Sequence, residues 1–468
     1  MTQRLTRADR LGYAIGSLGT GGFSTVPGLL LLYYLTDTLG VGAAVAGAIV
    51  LAPKIVDVVL NPVIGSLSDR TMLRHGSRAR WLLAGGIALP LAFAATFAAP
   101  AALVGAGAAG WVAVAFAGCV VAFAAFQVSY LVLPAEITDD PGERTDLMSW
   151  RIVALTLAIL LSGVGAPLLA HAGAGGRRGY LLMGLVVGAV LATAMLGCWW
   201  TTRRLPAWSP PQREATLTER VAALRENRPF AVLLAAFVLQ ALATGTMLAA
   251  IAYVTTHVLG DDGLTSVLFV AFIGPAVVVM PLWRLLARRA GKRAGFTLAS
   301  VLFVLAGLAL SALAVLPVAI VLVAVGVAGV GYAGMQLFPL AMLPDALAAD
   351  GVRSGRQRAG VFTGVWTAGE TAGFALGPAL VGLALGATGF VSARVPAGAA
   401  AGSTADADAA QPSSARAGIV VVFAVVPALL AAASLPLIRR YRLDQPVPSA
   451  APVHPAHPTR TAREDLTP

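Results

Sequence analysis

Leu51-Ala-Pro-Lys-Ile-Val-Asp-Val-Val-Leu-Asn-Pro-Val-Ile-Gly-Ser-Leu-Ser-Asp-Arg-Thr-Met-Leu-Arg-His-Gly-Ser-Arg-Ala-Arg80 decides how the chain is read. Its first half closes an apolar run that begins near Val41, about the twenty residues that a helix needs to cross the roughly 30 Å of hydrocarbon in a bilayer. Its second half is a short connection dense in arginine. Two charges, Lys54 and Asp57, sit inside the apolar part, where a soluble helix would gain nothing from them and a lipid-embedded one has to be compensated for them.

The rest of the chain repeats this alternation. Of 468 residues 58% are hydrophobic and 12% charged, against about 25% charged in an ordinary soluble protein. Apolar blocks bounded by charged or Pro/Gly-rich breaks fall at 11–36, 41–66, 81–99, 107–133, 150–170, 179–201, 230–257, 264–284, 296–316, 318–343, 361–390 and 418–438. The first block has no small-residue cleavage site and reads as a retained helix, not a leader. Twelve spans put both termini on one side. All but five of the 33 Lys and Arg residues fall in connections on that side, the exceptions being Lys54, Arg177, Arg178, Arg394 and Arg416. Such a bias marks the cytoplasmic face. It also accounts for the net charge of +11 without nucleic acid.

The expectation is therefore an all-α membrane protein, multi-pass, in a bacterial inner membrane, with both termini cytoplasmic. Residues 1–201 form one six-helix bundle and 229–440 a second, joined by a cytoplasmic linker at 202–228 that contains Pro206, Pro210 and Pro211. The basic, glycine-containing connections at 66–80 and 285–295 occupy corresponding places in the two halves, a weak internal repeat. The stretch 391–417 reads as a disordered external loop and 441–468 as a disordered tail. Cys119 and Cys198 lie inside apolar blocks and read as small core residues. Nothing suggests a metal cluster or a cofactor, and enzyme chemistry finds no clustered nucleophile or histidine.

Three charges lie well inside spans: Lys54, Asp57 and Glu370. Lys54, Asp57 and Asn61, spaced three and four apart, share one helical face. A carboxylate and an amide one turn apart can offer oxygen ligands to a small cation, or the carboxylate can carry a proton; equally, Lys54 and Asp57 can simply neutralise each other. Glu370 is a second candidate proton or substrate site, or a glutamate satisfied by a neighbouring helix. Gln127, Gln240, Tyr253, His257, Tyr332 and Gln336 read mostly as interhelical hydrogen bonds or interfacial anchors.

The motifs around these residues resemble the glycoside-pentoside-hexuronide:cation symporter family over about residues 11–437. They are Leu-Tyr-Tyr-Leu-Thr-Asp at 32–37, the Lys54 to Gly65 segment followed by Ser68-Asp69-Arg70, Pro134-Ala-Glu136-Ile-Thr138-Asp139, Glu143-Arg144-Thr145, Arg151, Asn227-Arg228-Pro229-Phe230, Met342-Leu-Pro344-Asp345, and Gly360 to Gly377 around Trp366. The resemblance implies a major facilitator fold and secondary active transport of a small organic solute by alternating access of two halves. It places the coupling cation, Na+ or H+, at Asp57, with Asn61 standing where the family has a second acid and Lys54 where it usually has arginine. It puts substrate contacts at Gln127 and Arg151, with Gly21 and Gln127 in place of the aspartates of sugar-binding members, and Thr371 in place of a lysine beside Glu370. Trp366 and Tyr33 join this candidate substrate set, and Asp69 with Arg70 forms a candidate cytoplasmic gate. The expected partners are a small-molecule substrate and membrane lipid, with the chain acting as a monomer. Two alternatives remain open: a carrier of a lysolipid-like amphiphile, because sugar-binding carboxylates are missing, and an exporter that exchanges a proton at Glu370.

Overall fold

The computed structural model describes residues 5–138, 140–172, 175–205, 226–354, 359–392 and 411–441, and among them it contains helices and no strands. Twelve long helical segments follow in order. α1 runs from Arg7–Val26 through π-helical turns at Pro27–Leu31 and Tyr34–Thr38. Next come α2 (Ala43–His75), α3 (Ala79–Phe97), α4 (Ala106–Ile137), α5 (Pro141–His171) and α6 (Gly176–Thr202). The second six are α7 (Arg228–Val254, continued by a π turn at Thr255–Leu259), α8 (Leu264–Ala290), α9 (Lys292–Leu310), α10 (Val318–Ser354), α11 (Ala359–Ala387) and α12 (Ser413–Val420 through a π turn to Val426–Arg440). Eleven are apolar and long enough to cross a membrane by composition. α2, with 33 residues, reaches about 50 Å at 1.5 Å per residue and is long enough too.

Local chemistry sets the ends. Thr6 and Asp9 form a reciprocal capping box at the start of α1, satisfying two amides that the first turn leaves without partners. Asp140 caps α5 ahead of Pro141, and Asn227 caps α7 ahead of Pro229; in both, proline sits where its missing N–H costs nothing. Pro27, which lacks the amide that an α-helical ladder requires, opens the first π turn of α1.

Several helices outrun their apolar blocks. α2 continues past residue 66 to His75, α5 begins at Pro141, well before 150, and α10 runs beyond 343 to Ser354. Hydropathy reports where lipid ends, whereas helical hydrogen bonding persists into the polar zone. The expected external loop at 391–417 is shorter than its composition suggests, because α12 is already helical at Ser413. There Gln411 exchanges hydrogen bonds with the backbone of Val391, and Arg416 donates to the His257 carbonyl at 2.9 Å. Tyr441, assigned to the tail, is buried and donates to the Met342 carbonyl. Most of the linker and the remainder of the loop and tail lie outside the described residues.

Packing repeats with a shift of six helices. α1 packs on α5 and α6, α3 on α4 and α6, and α2 on α4; likewise α7 packs on α11 and α12, α9 on α10 and α12, and α8 on α10. Between the halves α2 meets α11, α5 meets α8, and the Pro27–Leu31 turn meets α7. Glycine permits the closest of these approaches: a Cβ at Gly382 would come within 2.5 Å of the Ala43 carbonyl, and one at Gly163 within 1.9 Å of the Phe269 ring. These junctions all belong to the end of the bundle opposite the arginine-rich connections, called here the far end; the other is the basic end.

Candidate functional site

From mid-span toward the basic end the first half presents a strip of polar groups on α2, α4 and α5. Asp57 is 5% exposed and its Oδ1 has no hydrogen-bond partner, while the Asn61 side chain reaches the same carboxyl from one turn further on. The Lys54 ammonium makes no ion pair with it. It lies over two aromatic rings, 5.4 Å from the centroid of Phe23 and 5.9 Å from that of Phe123, an arrangement that partly replaces lost hydration. One turn beyond Phe123 on the same face of α4 stands Gln127, whose buried Oε1 is unpaired. Arg151 of α5 holds its guanidinium 5.8 Å from the Tyr130 ring, and its Nε is likewise without a partner.

The second half has a different interior. Glu370 on α11 is half-buried, has no hydrogen bond or ion pair to another described residue, and stands near Tyr332 of α10. Tyr332 stacks on Phe272 at 5.1 Å and is reached by Gln336. Trp366 is buried against Phe237 of α7, centroids 4.5 Å apart, with its Nε1 unpaired. Thr371, next to Glu370, is half-buried.

Three candidate residues fall elsewhere. Gly21 does not offer a surface to a ligand: a Cβ there would come within 2.7 Å of Ala158, so its smallness serves the seating of α1 on α5. Tyr33 lies at the far end, where its hydroxyl donates to Thr256 across the halves at 3.1 Å. Asp69 does not act with Arg70, which is exposed. It pairs with Arg78 from the α2–α3 turn, whose guanidinium also binds Glu136 of α4 at 2.7 Å and Ser68 at 2.8 Å. This buried network braces three helices of one half at the basic end.

The far end holds a cluster whose members Tyr253 and His257 the sequence offered only singly, as interhelical hydrogen bonds or interfacial anchors. His257 Nε2 lies 2.6 Å from Asp37 Oδ1, Thr36 and Tyr253 share a hydrogen bond of 2.7 Å, Thr256 binds Asp262, and His171 stands 3.8 Å from Asp262. Ser266 donates to the Val164 carbonyl and Ser392 to that of Val41. Each links one half to the other except the Thr256–Asp262 bond, which ties the ends of α7 and the following turn. The Asp37 to His257 separation of 220 residues explains why spacing could not reveal the pair. Gln240 likewise makes the interhelical bonds expected of it, to Ser300 and Ser434.

Two pseudo-equivalent six-helix bundles, joined tightly at one end and bearing unpaired polar groups between them at mid-span, define a multi-pass membrane protein of the major facilitator fold. The chain belongs to the MFS/sugar transport protein family, whose model matches residues 12–445, and the resemblance drawn from its motifs holds. YagG of Escherichia coli strain K12, provisionally named as a glycoside/cation symporter, is 32% identical over 205 residues, 43% of this chain and 44% of that one. The match thus spans less than half of that relative's length. The symporter YnaJ of Bacillus subtilis strain 168 is 24% identical over 95% of this chain and 93% of its own. In fold, the chain is similar to a bacterial homologue of the human lysosomal transporter Spinster solved inward-facing and unoccupied, with a TM-score of 0.65 at 14% identity over 93% of this chain and 97% of that one.

Proposed function

We propose that the chain is a secondary transporter that carries a small organic solute across a bacterial inner membrane by alternating access, as a monomer, with the basic end in the cytoplasm and the far end outside. One observation carries this reading: the bonds that join the halves gather at the far end, while mid-span polar groups, which lipid would penalise by several kcal/mol each if they stayed unsatisfied, await partners. A passage closed outside and open to the cytoplasm supplies those partners as water, solute or ion.

Asp57 is the coupling site in this reading. With Asn61 it offers two side-chain groups, whereas a hard cation such as Ca2+ takes about six to eight oxygen ligands, so the arrangement suits a proton better than a bare metal ion. The symporter names of the relatives and the family's sugar-transport description support import of a hydroxylated solute. The test is uptake into proteoliposomes of labelled sugars and sugar acids under separate proton and sodium gradients. Accumulation driven by the proton gradient is expected, together with solute-dependent alkalinisation outside; accumulation that follows sodium alone would overturn the proton assignment.

A further inference from the structure

At the far end the bonds between the halves gather into two matching sets. In the first, Asp37 of α1 accepts from Thr36 at 2.6 Å through Oδ2 and faces His257 Nε2 at 2.6 Å through Oδ1. Thr36 shares a hydrogen bond of 2.7 Å with Tyr253. In the second, Asp262, in the turn between α7 and α8, accepts from Thr256 through Oδ1 and faces His171 Nε2 at 3.8 Å through Oδ2. Thr256 accepts from Tyr33 at 3.1 Å. Each set is an aspartate and a threonine of one half met by a tyrosine and a histidine of the other. The halves exchange roles between the sets.

The donors fix what each carboxylate can do. A threonine hydroxyl that accepts from a phenol gives its own hydrogen to the acid, so both aspartates stand as acceptors and each histidine has to present a donor. For His171 this demands a charged ring. Its Nδ1 lies 2.6 Å from the Pro167 carbonyl, which can only accept, so Nδ1 carries a hydrogen. A neutral ring would then turn a bare lone pair toward Asp262, and only the imidazolium attracts it. His257 is less constrained: an Nε2–H serves Asp37 even in the neutral ring, and charging the ring strengthens the bond. Its pair is also the drier, with side chains 6% and 9% exposed against 37% and 46% for His171 and Asp262.

Other ionisable groups around the sets keep their charge near neutral pH. Tyr33 and Tyr253 belong to the sets, and Tyr180 of α6 lies within electrostatic reach of both aspartates; phenols ordinarily titrate at about pH 10. Asp261 accepts from the Gly263 amide, Arg177 donates to the Pro100 and Leu103 carbonyls, Arg178 is exposed, and Arg416 donates to the His257 carbonyl. Guanidinium and carboxylate stay charged through the range in which imidazoles titrate, about pH 5–8.

We infer that the far end carries a proton-operated lock, formed by His257 on Asp37 and His171 on Asp262, distinct from the coupling site. The inference rests on the alternating-access reading above. Closing the far end gives each imidazolium a carboxylate from the opposite half, and opening takes it away, so a proton on either ring favours closure. The preference is full at acid pH and fades as the pH outside rises through the imidazole range. Acid outside therefore holds the site turned to the cytoplasm and slows its return.

The test places spin labels at Ala102→Cys and Val315→Cys, exposed positions on the α3–α4 and α9–α10 connections of the two halves; Cys119 and Cys198 are buried. Distances are measured by pulsed electron resonance on the full chain in lipid nanodiscs at about pH 5.5 and about pH 8.5, spanning most of the imidazole range. The ratio of closed to open far ends is expected to fall about tenfold or more with that rise, the buried His257 pair supplying most of it and the exposed His171 pair about two- to fivefold. His171→Gln should remove the smaller share and His257→Gln the larger, and the double variant should give one ratio at both pH values. Asp262→Asn, which keeps an acceptor for Thr256 and guards against a folding defect, should reproduce His171→Gln. In Asp57→Asn the pH response should persist, which separates the lock from coupling. A response that is absent in wild type, opposite in sign, unchanged in the double variant or lost in Asp57→Asn overturns the inference. Gradient-driven uptake with a pH-insensitive far end would sink the lock alone; a pH-operated far end in a chain that accumulates no solute would sink the transport reading alone.

Discussion

Where the two halves meet at the far end, polar side chains have found each other: Asp37 with His257, Thr36 with Tyr253, Tyr33 with Thr256. A few turns deeper Asp57 Oδ1, Gln127 Oε1 and Arg151 Nε have not, and Glu370 has no hydrogen bond or ion pair among the described residues. Both sets lie in a chain surrounded by lipid, and both would be costly left bare, so the difference separates groups that hold a conformation from groups that wait for a visitor. The basic-end network of Arg78, Asp69 and Glu136 belongs to the first kind, although it lies wholly inside one half. If the distinction is right, removing a paired group should cost stability, and removing an unpaired one should cost transport with little effect on stability.

The largest loss of stability is expected for Arg78→Ala. It leaves Glu136, 4% exposed in its side chain, as a buried charge without its partner, and breaking such a pair on one side costs about 3–5 kcal/mol. Thermal unfolding of the detergent-solubilised chain should show a large drop. A melting point close to wild type would mean that the network is dispensable, and paired groups would no longer be distinguished by what they hold.

Asp37→Asn should act next most strongly, and on conformation. It removes the charge facing His257, and a hydrogen bond to a charged group contributes about 1.5–3 kcal/mol. The closed far end would then open more often by a factor of about ten or more, since 1.4 kcal/mol is tenfold in an equilibrium. A cysteine introduced at Ala43, facing Gly382, should react with impermeant thiol reagent from outside faster in the Asp37→Asn background. An unchanged labelling rate would show that the far end is held by its glycine packing alone. A smaller effect is expected from Gln240→Leu, which removes two bonds to Ser300 and Ser434 inside the second half: about 1–3 kcal/mol for the hydroxyls left without their donor, read as a modest fall in melting temperature with no change in labelling.

The sequence showed the frame of this comparison more clearly than its content. Twelve apolar blocks, and arginines confined to one side of them, are one-dimensional signals, because lipid acts on each span separately. The interior charges Lys54, Asp57 and Glu370 were visible for the same reason. Pairing is a tertiary fact. Asp69 stands next to Arg70 in the chain, yet a helix turns neighbours apart, and Arg78 reaches it from beyond the Gly76 turn. Asp37 and His257 look like unrelated interfacial residues until two bundles are docked. Gly21 shows the converse, since a missing side chain can mean an altered ligand or a close-packed helix, and only the distance to Ala158 decides between them.

The smallest stability effect should accompany the sharpest functional one. Asp57→Asn replaces a buried acid whose Oδ1 is unpaired by a neutral amide of the same shape, which keeps an oxygen for the Asn61 side chain, and one poorly solvated charge disappears. Unfolding should therefore shift by clearly less than the about 3–5 kcal/mol that breaking a buried ion pair on one side costs in Arg78→Ala. Transport should change in kind. With one proton per solute, a pH difference of about one unit supports about tenfold accumulation, because 1.36 kcal/mol is a factor of ten. Asp57→Asn should reduce that ratio to one in proteoliposomes while solute still exchanges down its own gradient. An Asp57→Asn protein that unfolds readily would place Asp57 among the structural groups with Arg78, and one that still accumulates solute would move the coupling step to another acid, with Glu370 the next to test. A stable, exchanging, uncoupled protein is the result expected if Asp57 Oδ1 is left unpaired because its partner is the coupling ion.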